Sequence, residues 1–320
     1  MSEFLSVLQL GLVKALSFDR LRCRSTTRGR MMSVVLITGC STGIGYETAL
    51  AFARNDDTVV ATMRDVSKAD ALEAAAADED LSIEIEQLDV RDDESVSRAV
   101  TAVTGRHGRI DVLVNNAGVS PMAAFELVSQ DEIETIWDTN FFGALRMTKA
   151  VVPAMRERGA GTILNVSSIV SRIPGPTSTM YSSSKAALSA FSEGLAQELH
   201  PFGIRVAALE LGQFATPIVD RTISSLSTAD SPYAAAERRM QLIIQQSAPD
   251  SEDPADAAAV LVATAEAEEL ESFRIIVGEG GKMFAAGRAR TSDRDMLKMA
   301  AAETDEEYFA LFARSFAPTE

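Results

Sequence analysis

The stretch Ser33–Asn55, SVVLITGCSTGIGYETALAFARN, decides the fold. An apolar run, VVLI, leads into Thr38-Gly-Cys-Ser-Thr-Gly-Ile-Gly45, and an amphipathic segment, YETALAFARN, follows. Strand, glycine turn and helix in that order read as a first βα unit. Gly39, Gly43 and Gly45 allow a tight backbone and the close approach of a phosphate to amides at a helix N-terminus. Ser41 and Ile44 belong to the same turn. The spacing is G-x-x-x-G-x-G rather than G-x-G-x-x-G, so by itself the turn also suits a purely structural role.

Working outward, TVVATM is a second strand that ends at Met63 and Arg64. In dinucleotide folds an acid at this point binds the adenosine ribose hydroxyls. An arginine there suits a 2′-phosphate, through its charge and forked donors. Ser41 could add a hydroxyl. The expectation is a preference for NADP(H), with NAD(H) as the lesser alternative; the competing reading is an arginine capping the strand at the surface. Residues 67–78 are alanine-rich and read as a helix. LSIEIEQLDV is a third strand ending in Asp89-Val90, where a carboxylate can accept from an adenine amino group and Val90 can back the ring. DDESVSRAVTAVTGRHG is a helix with acidic residues in its first turn. DVLV then runs into Asn115-Asn116-Ala117-Gly118, whose small residues let a cofactor lie over the strand end.

Residues 129–158 read as one long helix with Asn140 in its apolar middle, where a buried amide needs partners. GTILNVSS is the fifth strand, Tyr181 to about His200 the next helix, and IRVAALEL a sixth strand ending at Gly212. SEDPADAAAVLVATAEA is helical and FRIIVG is a seventh strand. The alternation implies an α/β fold: a single doubly wound, Rossmann-type, parallel seven-stranded sheet with helices on both faces, over residues 31–280. Residues 213–250, with Phe214, Ile218, Val219 and Leu226, are an insertion placed to cover the ligand crevice and read as a lid. Residues 281–320 read as a helical tail.

The chemistry gathers in Ser168–Lys185, SIVSRIPGPTSTMYSSSK. Tyr181 and Lys185 stand four residues apart, one helical turn on one face. A free phenol titrates near pH ~10. A neighbouring ammonium favours the phenolate and lowers that value. Ser168 closes the fifth strand, and its hydroxyl could donate to a substrate oxygen. These three groups are the parts needed to move a proton on or off an alcohol while a hydride moves on its carbon. A solvated helix face is the plain alternative for the Y-x-x-x-K spacing taken alone.

Composition narrows the rest. The chain has 320 residues, 46% of them apolar, enough for one large α/β domain or two small ones. Its net charge is −16, although six basic residues against two acidic ones give residues 1–30 a charge of +4. Only six of the 30 basic residues are lysines. So acidic a surface disfavours nucleic acid and anionic membranes, and it is expected to be an adaptation to high salt. The first 30 residues read as a disordered or non-native extension, with the working chain starting at Met31 or Met32. An organellar presequence is the alternative. Cys23 and Cys40 cannot form a disulfide framework, and His107 and His200 read as helix-end residues, so no metal site is expected. No long uncharged apolar run suggests a transmembrane helix, and a cytoplasmic location is expected.

TGCSTGIG, the strand-ending Asp89, NNAG at 115–118, Asn140, Ser168 and YSSSK occur in the order and spacing of the short-chain dehydrogenase/reductase family. Between about Ser33 and Gly278 the chain resembles that family, in its extended-lid branch of hydroxysteroid and retinol dehydrogenases. The resemblance implies Tyr181 as general acid in reduction and base in oxidation. Lys185 would lower its pKa and hold the nicotinamide ribose, and Ser168 would orient the substrate oxygen. Asn140, through its backbone, would hold a water linking Lys185 to solvent. It also implies cofactor contacts from Gly39, Ser41, Gly43, Ile44, Gly45, Arg64, Asp89, Val90, Asn116, Ala117, Gly118, Tyr181, Lys185, Gly212 and Thr216. The family usually carries Pro-Gly after the sixth strand, where this chain has Leu211-Gly212, which puts the rigidity of that turn in question. A lipophilic carbonyl or alcohol substrate is expected, lined by Met122, Val170, Ile173, Met180, Phe214 and Ile218. Reduction of carrier-bound 3-oxoacyl chains, or a non-catalytic cofactor-binding regulator, are the alternatives. Family analogy implies a homodimer or homotetramer through the helices at 129–158 and 181–200.

Overall fold

A computed structural model describes residues 32–218, 222 and 231–317. The expected extension over residues 1–30, with Cys23, and the lid residues Val219 and Leu226 lie outside the described residues. Two compact units are distinguished, Ser33–Gly281 and the segment from Lys282 onward.

In the first unit seven strands form one sheet: β1 (Val34–Thr38), β2 (Thr58–Met63), β3 (Ile83–Gln87), β4 (Val112–Asn115), β5 (Gly161–Ser168), β6 (Ile204–Leu211) and β7 (Arg274–Val277). Their order is β3-β2-β1-β4-β5-β6-β7, and every neighbouring pair is parallel. The expected seven-stranded parallel sheet is therefore the observed one. After β3 the chain crosses to the far side of β1, which sets the carboxyl ends of β1 and β4 side by side. Ligands of such sheets bind at that switch point.

Both faces are covered, which is why the strands are apolar on both sides. Val35 and Ile37 of β1 join one core, with Phe52 of α1 (Gly43–Arg54), Leu72 of α2 (Asp70–Asp78) and Leu261 of α8 (Pro254–Glu266). Val34 and Leu36 join the other, with Val103 of α3 (Asp93–His107), Met155 of α5 (Gly143–Arg158) and Leu199 of α6 (Thr179–Leu199). α6 also turns a serine face to the sheet. Ser192 Oγ accepts from Asn165 Nδ2 at 2.8 Å, and Asn165 Oδ1 accepts from Asn115 Nδ2 at 2.8 Å. Ser189 and Ser167 share a hydrogen bond of 2.8 Å. These polar contacts fix the helix along the strands beneath it.

Two expectations shift. The segment 129–158 is α4 (Gln130–Trp137), a π-helical turn (Asp138–Phe142) and α5. The π-turn rotates Asn140 inward, and hydrophobic periodicity carries no trace of one added residue. The third strand ends at Gln87, so Asp89 and Val90 lie in the loop beyond it. Within the insertion, α7 (Ala234–Ser247) is ordered helix. Phe214 pairs with Glu252 in an isolated bridge, which turns its ring into the first core rather than toward a crevice.

The C-terminal region is helical: α9 (Glu279–Arg290), α10 (Asp293–Ala300) and α11 (Asp305–Phe316). Among the residues after Lys282, Phe284, Tyr308, Phe312 and Phe316 form an aromatic cluster. Gly287 admits it, since a Cβ there would stand 2.5 Å from Phe316 Cδ1. Among the described residues no helix is long and apolar enough to cross a membrane.

Candidate active site

The glycine turn after β1 is built against the end of β4. Gly39 has φ +75, and a Cβ on it would lie 2.8 Å from Ala117 Cα. Gly45 is tighter, because a Cβ would fall 2.4 Å from both Asn116 Nδ2 and Gly39 O. The space serves a hydrogen-bond clamp: Asn116 Nδ2 donates to Thr38 O at 2.8 Å and Gly39 O at 3.1 Å. Thr38 Oγ1 in turn accepts from the amides of Asn116 and Ala117, each at 3.0 Å. α1 has no side-chain cap on its first amides and no acidic residue in its first turn. Those amides and the positive end of the helix dipole thus face the turn without a competing carboxylate. Thr216 reaches the same turn, since a Cβ on Gly43 would lie 3.3 Å from it.

Farther along the strand ends, Arg64 is exposed just past β2. Asp89 is held by Arg91, whose amide donates to Oδ1 at 3.0 Å and whose guanidinium lies at 3.4 Å. Burial pushes the Asp89 carboxyl up, but its bonds to Arg91 outweigh that and hold it below the usual range. Val90 is buried against Gly143, where a Cβ would lie 2.7 Å from Val90 Cγ2. An amide cradle, a cation beyond β2 and a carboxylate beside an apolar wall fit a dinucleotide.

Ser168, Tyr181 and Lys185 converge at the ends of β5 and α6. Lys185 is buried, and its Nζ donates to Val166 O at 2.8 Å. Burial lowers its pKa to about 8. The ammonium stands 6.0 Å from the centroid of the Tyr181 ring. The phenol is half-buried; burial raises its pKa, and the hydroxyls of Ser168 and Ser120 oppose that rise. This differs from the expected downward pull of the lysine: in the folded chain desolvation dominates, and the hydroxyls oppose it. Ser120 has no counterpart among the sequence-derived residues. It lies two positions past the Asn-Asn-Ala-Gly run, and nothing in its spacing marks it.

The Asn140 side chain is anchored at both of its polar atoms. Oδ1 accepts from Val119 N at 2.8 Å, and Nδ2 donates to Val119 O at 2.9 Å and Ser184 Oγ at 3.1 Å. Gly118 stands beside it, where a Cβ would approach Asn140 Oδ1 to 3.4 Å and Lys185 Nζ to 3.5 Å. The missing proline at 211 has a visible consequence. Leu211 continues β6 and pairs with Val277, and Gly212 donates its amide to Val277 O at 2.8 Å. A Cβ on Gly212 would lie 2.8 Å from Gly281 N, so close packing and ladder bonds hold this turn where a pyrrolidine ring would otherwise do so. Just before it, the fully buried Glu210 accepts from Arg274 Nε at 2.8 Å and Ser171 Oγ at 3.0 Å, and it pairs with Arg172. That carboxylate ties the loop after Ser168 to β6 and β7. Of the expected lining residues, Met122 and Met180 share one small cleft with Ile136 and Thr177.

The family model for short chain dehydrogenases matches residues 33–226. The chain belongs to this family. It is 41% identical over 202 residues to retinol dehydrogenase 8 of Bos taurus, covering 62% of this chain and 64% of that protein. It is 35% identical to the uncharacterized oxidoreductase YusZ of Bacillus subtilis, over 78% and 90% of the two chains. With human 17-beta-hydroxysteroid dehydrogenase type 1 it shares 38% identity over 60% of each. The chain thus spans just under two thirds of the retinol and hydroxysteroid dehydrogenases it matches. Among solved structures, a short-chain dehydrogenase from Streptomyces avermitilis is 33% identical with a TM-score of 0.72, over 85% of this chain and 97% of that one. ElxO with NADP bound is 28% identical, with a TM-score of 0.65 over 78% and 98%. A 3-ketoacyl-(acyl-carrier-protein) reductase from Brucella melitensis, complexed with NADH, is 27% identical, with a TM-score of 0.64 over 78% and 98%. By sequence the chain is similar to members of the hydroxysteroid- and retinol-like branch of the family.

Proposed function

We propose that this chain is an NADP(H)-dependent oxidoreductase that interconverts a lipophilic ketone or aldehyde and its alcohol. The observation that carries the reading is the meeting of Tyr181 on α6 with Ser168 at the end of β5, with the buried Lys185 Nζ 6.0 Å from the phenol ring. When bound, the dinucleotide supplies or takes the hydride. Gly39, Ser41, Gly43, Ile44 and Gly45 would hold its phosphates, with Thr216 and Gly212 closing over them. Arg64 would pair with the 2′-phosphate, and Asp89 and Val90 would receive the adenine. Asn116, Ala117 and Gly118 would line its path, and Lys185 and Tyr181 would take the ribose hydroxyls.

Tyr181 gives its proton to the substrate oxygen in reduction and takes one back in oxidation. Its raised pKa keeps the phenol protonated at neutral pH, ready as an acid. Ser168 orients the substrate oxygen and steadies the charge that develops on it. Lys185, titrating at about 8, carries its charge at neutral pH. Asn140 holds the Val119 backbone next to these groups. Apolar Met122, Val170, Ile173, Met180 and Ile218 support an oily substrate, as do relatives named for retinol and a hydroxysteroid. Exposed Phe142, packed on Trp137 and Phe141, supports self-association through the 129–158 segment.

A screen of retinol, steroid and fatty-acyl alcohols and carbonyls with NADP⁺ or NADPH tests this reading. Turnover is expected in the native chain and its loss by at least about 10²-fold in Tyr181→Phe. Turnover that survives in that variant removes the assigned acid.

A further inference from the structure

We infer that Ser184 is a positioning residue for the proton transfer: it ties the first turn of α6, which carries Tyr181, to the π-turn and to the backbone just past β4. This deepens the proposed function and rests on it for the role of Tyr181.

Ser184 is fully buried, and its hydroxyl is bonded on two sides. Oγ donates to Tyr181 O at 2.7 Å, three residues back in the same helix. It accepts from Asn140 Nδ2 at 3.1 Å, from 44 residues away. Asn140 is itself buried in the π-turn and brackets Val119, accepting from its amide at 2.8 Å and donating to its carbonyl at 2.9 Å. The Nδ2 group therefore serves both Val119 O and Ser184 Oγ. A hydroxyl suits the middle of this chain because it donates and accepts at once. One continuous set of hydrogen bonds runs Val119, Asn140, Ser184, Tyr181, from the backbone past β4 to the backbone of the phenol-bearing residue.

These bonds fix the spacing between two parts of the site. Gly118, beside Val119, stands where a Cβ would approach Asn140 Oδ1 to 3.4 Å and Lys185 Nζ to 3.5 Å. At the other end of the turn Lys185 is gripped by β5: Nζ donates to Val166 O at 2.8 Å, and its carbonyl accepts from Ser167 Oγ at 3.1 Å. β5 thus anchors the Lys185 end, and Ser184 anchors the Tyr181 end. Without the Ser184 hydroxyl the Tyr181 end is free to pivot about the lysine anchor, and a misplacement of about 1 Å at a reacting group can cost about 10²-fold in rate. The same helix supplies a comparison. Ser192, about two turns farther on, is also buried. It accepts from Asn165 Nδ2 at 2.8 Å and donates to Leu188 O at 2.7 Å. It makes the same two kinds of bond, away from the phenol.

Hydrogen exchange and steady-state kinetics of the full chain test this. Ser184→Ala leaves the Asn140 amide short of one acceptor. The Val119 amide, which Asn140 Oδ1 protects, should then exchange about tenfold faster, a readout that needs no substrate. Ser192→Ala, which strips one acceptor from Asn165 in the same way, should lower the melting temperature by a similar amount and leave Val119 exchange within about twofold of native. With a substrate from the screen, Ser184→Ala should lower kcat about tenfold at nearly constant KM. The pH midpoint of the rate should stay in place, because the serine touches the tyrosine backbone and not its phenol. Ser192→Ala should keep the native kcat. In an Asn140→Ala background, adding Ser184→Ala should lower kcat by less than about twofold. Unchanged Val119 exchange in Ser184→Ala, or equal losses of kcat in the two serine variants, overturns the inference. If Ser184→Ala fails to fold, Ser184→Cys, of similar volume and a weak donor, stands in with the same expectations. Faster Val119 exchange together with surviving turnover in Tyr181→Phe would sink the catalytic reading of Tyr181 but leave the linkage standing. An inactive Tyr181→Phe with native kcat in Ser184→Ala would do the reverse.

Discussion

Lys185 Nζ donates to Val166 O at 2.8 Å, so the ammonium is held by the fifth strand and not by the phenol one turn before it. Desolvation then governs Tyr181 and raises its pKa, with Ser168 and Ser120 pulling the other way. A raised value means the base form appears only as the pH climbs. Alcohol oxidation should therefore increase with pH well into the alkaline range, while carbonyl reduction holds at and below neutrality. Ser168→Ala removes one of the lowering bonds. Its oxidation profile should move to higher pH by about one unit, with kcat down about tenfold or more. Rate profiles of both proteins across pH check this, and coincident profiles count against it.

Arg64 is exposed just beyond β2, where a dinucleotide fold senses the 2′ position. Arg64→Ala should raise KM for NADP(H) about tenfold and leave that for NAD(H) near its native value, the loss of a charge-assisted contact. A native preference for NAD(H) that survives the substitution would end the assignment.

Glu210 is fully buried between two arginines whose own side chains reach solvent. Burial pushes its pKa up, but hydrogen bonds from Arg172 and Arg274 prevail and lower it below 4.5. A depressed carboxylate contributes stability above its unfolded value, and that contribution fades as pH falls through the folded one. Glu210→Gln should destabilise the protein by about 2 kcal/mol at neutral pH. The gap should begin to narrow below about pH 4.5, where the unfolded chain's carboxylate takes up its proton, and close as pH falls through the depressed folded value. Melting curves at pH 7 and pH 4 are the measurement, and an equal gap at both would show that charge is not the cause.

Gly45 and Gly105 make a matched pair. A Cβ at Gly45 would collide at 2.4 Å with the Asn116 clamp, whereas one at Gly105, inside α3, meets nothing within 4 Å. Gly45→Ala should cost about 1–3 kcal/mol and weaken dinucleotide binding. Gly105→Ala should stabilise by about 0.5–1 kcal/mol. Denaturant unfolding of both variants would decide, and equal effects would refute the close-approach account.

The acidic, lysine-poor composition leads us to expect greater stability in molar salt than at low ionic strength, since screening relieves self-repulsion. A melting temperature that does not change with salt would remove this reading.

Local patterns were enough for the architecture. Seven apolar runs, separated by helix-period segments and glycine turns, specify a parallel sheet because a helix between consecutive strands returns the chain to the same end of the sheet. The same holds for the Tyr181–Lys185 spacing, since a four-residue step in a helix is a geometric constant. What only the tertiary structure decided depends on segments that meet across the fold. Val119 and Ser120 are held by Asn140 and Thr222, which come from 21 and 102 residues away. Lys185 is anchored on Val166 while its ammonium stands 6.0 Å from the Tyr181 ring, and Phe214 enters the core because Glu252 pairs with it. The turn at Gly212 stays firm without proline because Val277 and Gly281 pack beneath it. Burial and hydrogen-bond partners arise only once distant strands and helices come together, and they set which of several nearby polar groups prevails at each atom of the site.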